Sequence, residues 1–129
     1  MAFPGTGTIW MNGKLVDWKD ANIHIATHVI HYGSGVFEGI RAYWNPEQGV
    51  LYGLKLREHV ERIRQSCRIL LMEDVPSVDE LTGLIVETIR RNGFREDAYI
   101  RPSFYKSTRA IGVRLAVDGR GRRRRAGPD

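Results

Sequence analysis

Two stretches of alternating residues place arginine among aromatic rings. Between 36 and 44, Phe37, Gly39, Arg41 and Tyr43 share one face of an extended chain, while Val36, Glu38, Ile40, Ala42 and Trp44 share the other. Between 98 and 105, Tyr99, Arg101, Ser103 and Tyr105 fall together in the same way. A guanidinium fork beside phenols suits a small carboxylate, which Arg grips through two hydrogen bonds while Tyr adds a hydroxyl. The same spacing also describes arginines that snorkel from an exposed sheet face, and the residues alone leave both readings open. His24, His28 and His31 sit at i, i+4 and i+7, with Asp20 upstream. That could gather imidazoles for zinc on a helix. The segment is rich in β-branched residues and has no helical apolar stripe, so ordinary hydrogen-bonded histidines are expected, and no metal site. Gly33-Ser34-Gly35 is not a dinucleotide loop, because the third glycine of that fingerprint would stand at Glu38, and no Walker lysine follows.

The elements that must carry these residues are legible. Ile9-Trp10-Met11, Asn12-Gly13 and Lys14-Leu15-Val16 predict a hairpin with a type I′ turn. Residues 36–44 predict a strand, Asn45 to Gly49 a turn, and Val50-Leu51-Tyr52 a short returning strand. Leu56, Val60, Ile63, Cys67 and Leu70 make one helical stripe. Pro76 ends it, and Ser77-x-x-Glu80 opens a second helix whose stripe is Val78, Leu81, Ile85 and Ile89. Asn92-Gly93 stops that helix, and Ala98 to Tyr105 predicts a last strand. Strands followed by a helical pair give an α+β expectation: a mainly antiparallel sheet with two helices packed on one face.

The chain has 129 residues, 42% of them hydrophobic and 27% charged, which fits one globular unit and excludes wholesale disorder. No apolar run is long enough to span a membrane, and the first residues do not read as a secretory signal. One cysteine, Cys67, leaves no internal disulfide and favours a reducing cytoplasm. Of the net charge of +5, +3 belongs to residues 118–129, where five arginines face Asp118 and Asp129. The globular portion is close to neutral. Two regions are expected: 1–115 as one small domain, and 116–129 as an Arg/Gly-rich tail, disordered for want of apolar residues.

Four blocks resemble the branched-chain aminotransferases, which are class IV, fold-type-IV pyridoxal-phosphate enzymes. They are Ile9 to Gly13, His31 to Tyr43 (His-Tyr-Gly-Ser-Gly-Val-Phe-Glu-Gly-Ile-Arg-Ala-Tyr), Arg57 to Arg62, and Ala98 to Pro102. The resemblance covers residues 8 to about 115 and corresponds to the N-terminal small domain of that family. It implies amino-group transfer from leucine, isoleucine or valine to 2-oxoglutarate, with pyridoxal 5′-phosphate as electron sink. By the same likeness Arg62 holds the cofactor phosphate, and Phe37 and Gly39 line the branched side-chain pocket beside Arg41. Tyr32 and Arg101 recognise the glutamate carboxylate, with Tyr99 on the same face. Val113 reaches a neighbouring subunit's site in a homodimer or higher homo-oligomer.

The chain departs from that pattern in two ways. The family chain is more than twice as long, and its Schiff-base lysine belongs to the larger C-terminal domain. None of the four lysines here, Lys14, Lys19, Lys55 and Lys106, matches that position, so the 129 residues alone are expected to be inactive. Similarity stops after Val113-Arg114-Leu115, and the basic tail beyond reads as an out-of-frame or aberrant end. Alternative readings are the small domain of a D-amino-acid aminotransferase or aminodeoxychorismate lyase, and a nucleic-acid-binding module acting through the tail. The last is disfavoured, because the tail offers no aromatic residue for stacking.

Overall fold

In the computed structural model of the chain, residues 5–109 are described. Val113, the boundary at 115 and the basic tail lie outside them. The chain opens with a hairpin of β1 (Thr8–Met11) and β2 (Lys14–Asp17), paired Thr8 to Asp17 through Met11 to Lys14. Its turn residues Asn12 and Gly13 have φ of 50° and 96°, as a type I′ turn demands and Asn-Gly tolerates. A short helix α1 (His28–Tyr32) follows, then β3 (Gly35–Phe37), β4 (Ile40–Asn45) and β5 (Val50–Gly53). The long helices α2 (Leu56–Ile69) and α3 (Val78–Asn92) come next, then β6 (Ala98–Ile100) and β7 (Ser103–Tyr105). All strand pairs are antiparallel: β1 with β2, β3 with β7, and β5-β4-β6. The α+β class holds.

The sheet differs from expectation in one respect that matters. Residues 36–44 and 98–105 do not form two unbroken strands. The first is interrupted at Glu38-Gly39 and the second at Arg101-Pro102, and these interruptions face each other. Pro102 has no N–H to give to a ladder, and Gly39 has no side chain to pack on one, so pairing lapses there. The Glu38 amide still donates to the Pro102 carbonyl at 3.1 Å across the gap. Phe37 pairs with Ser103 before the gap and Ile40 with Ile100 after it, so no residue is gained or lost. The alternation of faces therefore survives: Glu38, Ile40 and Ala42 are buried, while Phe37, Gly39, Arg41 and Tyr43 are exposed.

The buried face packs against the two long helices. Val60 and Ile63 of α2 and Leu81 and Ile85 of α3 form the core cluster, with Val36, Ile100 and Phe104 of the strands against it. The start of α3 carries the expected capping box: the Ser77 hydroxyl accepts from the Glu80 amide, and the Glu80 carboxylate accepts from the Ser77 amide. Cys67 lies fully buried on the α2 stripe. Burial pushes its thiol up to about 11, partly offset by Arg64, so it is a protonated packing residue at neutral pH.

This packing separates positions on one helix. Ile63→Ala, at 0% exposure, is expected to cost about 2–5 kcal/mol in urea unfolding. Ile69→Ala, at 73% exposure, is expected to stay within about 0.5 kcal/mol of the parent.

Candidate active site

The facing interruptions gather side chains that the sequence holds about sixty residues apart. On the exposed side, the Arg101 guanidinium carbon lies 4.2 Å above the centre of the Phe37 ring and 5.5 Å from that of Tyr99. Arg101 Nη2 donates to the Tyr99 hydroxyl at 3.1 Å. Gly39 completes the cluster by what it lacks. A Cβ there would collide with the Tyr99 hydroxyl and stand 3.1 Å from its Cζ, so any larger residue displaces the phenol. Arg41 is opposite Tyr99 across the β4–β6 ladder. Phe37, Gly39, Arg41, Tyr99 and Arg101 thus form one patch, with cations beside an aromatic wall. Such a patch can hold a carboxylate at the guanidinium and an apolar chain against the ring.

The buried side of the same dipeptide holds a second arrangement. Glu38, only 5% exposed, accepts from Arg62 Nε at 2.7 Å and Arg62 Nη2 at 2.6 Å, and from His59 Nδ1 at 2.8 Å. His59 and Arg62 lie three residues apart on α2, hence on one face of the helix. The Arg62 hydrogen bonds hold the Glu38 carboxyl below its ordinary range, against the upward push of burial, and His59 adds to the lowering. Arg62 is in turn pushed up by Glu38. Its side chain remains 66% exposed. A guanidinium has five N–H donors, and Glu38 takes two, so three remain for an outside anion. These donors suit an anion such as a phosphate group.

The Tyr32 ring packs on its own helix α1, tilted against His28 at 4.6 Å and His31 at 6.3 Å. The three histidines go to separate partners. His24 Nδ1 accepts from the Ala26 amide, His28 Nδ1 is 2.6 Å from the Ser34 hydroxyl, and His31 Nε2 is 2.8 Å from the Ile25 carbonyl. Among the described residues no group of three or more His, Cys, Asp or Glu could hold a metal.

Sequence reasoning missed Glu38 and His59 as members of the site. The signal was present: Glu38 occupies an inward position between Val36 and Ile40, and a buried carboxylate requires cations. Lys106 was also missed as a buried residue. It is 4% exposed, and its Nζ has no hydrogen-bond partner among the described residues.

The chain belongs to the class IV amino-transferase family, whose model matches residues 35–120. It is 40% identical over 110 residues to a branched-chain-amino-acid aminotransferase of Pseudomonas aeruginosa, covering 85% of this chain and 35% of that one. Among solved structures, it resembles the branched-chain aminotransferase of the thermophilic archaeon Thermoproteus uzoniensis, crystallised with norvaline. The TM-score is 0.79 at 44% identity, over 91% of this chain and 37% of that one. The holo, PLP-form enzyme of Thermobaculum terrenum gives 0.74 at 31% identity, over 89% and 36%. The chain spans about a third of the length of the relatives it matches.

The lowered Glu38 carboxyl fixes a sign. Its contribution to stability is fully present above the ordinary carboxyl value of 4.5 and is lost as pH falls through the lowered folded value. Acid unfolding of the parent should therefore include a loss below pH 4.5 that Glu38→Gln lacks, read as the difference between their urea midpoints against pH.

Proposed function

We propose that this chain forms the substrate- and phosphate-recognising portion of a branched-chain amino-acid aminotransferase. The observation that carries the reading is the patch at the facing interruptions, where Arg101, Tyr99 and Phe37 meet over the space left by Gly39. In this reading Phe37 and Gly39 line the pocket for the branched side chain, and Arg41 borders it. Arg101, with Tyr32, recognises the carboxylate of glutamate or 2-oxoglutarate, and the Tyr99 hydroxyl orients the Arg101 fork. Arg62 holds the phosphate of pyridoxal 5′-phosphate through the donors that Glu38 leaves over. When bound, that cofactor supplies the electron sink for amino-group transfer. Val113, outside the described residues, reaches the site of a neighbouring subunit in a homo-oligomer.

The region up to 115 acts as the small domain, with 116–129 as a separate tail. No helix among the described residues is long and apolar enough to cross a membrane, and a cytoplasmic setting fits the single, buried thiol. The nucleophilic lysine is not one of the four in this chain. Lys14 lies on the N-terminal hairpin, Lys19 in the 3-10 turn just after it, Lys55 precedes α2, and Lys106 follows β7.

The test is a chimera in which residues 8–109 replace the matched third of the Pseudomonas aeruginosa relative. The chimera is expected to transfer the amino group of leucine to 2-oxoglutarate, while the 129-residue chain incubated with pyridoxal phosphate shows no turnover and keeps no yellow band once free cofactor is removed by desalting. A folded chimera inert towards leucine, or turnover by the chain alone, would overturn the reading.

A further inference from the structure

We infer that Glu38 is the positioning residue of the phosphate-binding arginine, with His59 as its second anchor. The inference rests on the reading of Arg62 just given and adds what makes that arginine fit for the task. Arg62 stands on an exposed turn of α2, and a long side chain there samples many rotamers unless something holds it. Glu38 holds it. The carboxylate meets the guanidinium edge formed by Nε and Nη2, which sets the plane of the fork as well as its position. The end-on edge, with one hydrogen each of Nη1 and Nη2, is left to face a ligand, and the second Nη1 hydrogen lies beside it. His59 Nδ1 binds the Glu38 oxygen that also takes Nη2, so the carboxylate cannot swing to follow the arginine.

Glu38 is itself fixed by the fold. It lies between Phe37 and Gly39 at the interruption of the sheet, and its amide is tied to the Pro102 carbonyl. The arginine on α2 is thereby registered to the dipeptide that presents the substrate patch. A phosphate at Arg62 and a side chain at Phe37 are spaced by one rigid peptide segment rather than by the looser packing of a helix on a sheet.

Electrostatics alone predicts the opposite effect. Glu38 neutralises Arg62 and repels an incoming anion, so if charge dominated, removing it would tighten phosphate binding. Positioning predicts weakening, because the fork must then be ordered at the moment of binding. The sign separates the two.

The experiment follows the Arg62 Nε–H resonance of the ¹⁵N-labelled 129-residue protein, assigned by its loss in Arg62→Lys, during titration with inorganic phosphate. In the parent the resonance is expected to be protected from water exchange and to move saturably with phosphate. In folded Glu38→Gln the protection is expected to vanish and phosphate affinity to fall about tenfold. Affinity in Glu38→Gln within about twofold of the parent, or tighter, would overturn the inference while leaving the phosphate role of Arg62 standing. A parent whose Arg62 does not respond to phosphate overturns that role, and the inference with it. Should Glu38→Gln fail to fold, His59→Gln removes the second anchor from a less buried position. Faster Nε–H exchange and weaker phosphate binding in it support the inference, and an unchanged resonance contradicts it.

Discussion

A carboxyl group only 5% exposed between Val36 and Ile40 stays ionised because cations come to it, and this pairing organises the region around it. Glu38 draws Arg62 and His59 of α2 down onto the strand, adding a polar tie to a helix–sheet contact that is otherwise apolar. The tie falls where the sheet ladder lapses. At that position the strand gives up regular pairing, and the Glu38 amide, the Glu38 carboxylate and the neighbouring Phe37 ring each acquire a different partner. One interruption thus serves two faces: inward it fixes an arginine, and outward it brings Phe37, Tyr99 and Arg101 together, with the Tyr99 phenol lying over Gly39.

Much of this was legible in the residues. The Asn-Gly hairpin, the capping box of α3 and the apolar stripes of α2 and α3 all follow from local rules, and the structure has them where they were expected. The two exposed strand faces were also correct, because the interruptions keep register and so leave the alternation intact. That same preservation hid the interruptions themselves. A period of two looks the same whether or not the ladder is made, although Gly39 and Pro102 marked the places. The helix α1 escaped because five residues are too few to show a helical period.

The Glu38 clamp was out of reach for another reason. It joins residues 21 and 24 positions apart in sequence, and no spacing rule links a strand to a helix across such a distance. What could have exposed it was the inward placement of a charged residue. The separate roles of Arg62, Tyr32 and Val113 came from family likeness alone. Of these, the geometry gives Arg62 a fixed orientation and free donors, and seats Tyr32 among histidines on α1.

The facing interruptions at Glu38-Gly39 and Arg101-Pro102 build the patch. The most direct measurement is the nuclear Overhauser spectrum of the chain. The account predicts contacts from the Phe37 ring to the Arg101 δ-methylene and from the Gly39 α-protons to the Tyr99 ring, with the Glu38 amide slow to exchange. Missing contacts in a folded protein, together with a fast-exchanging Glu38 amide, would mean that the strands do not meet there, and the account would fail.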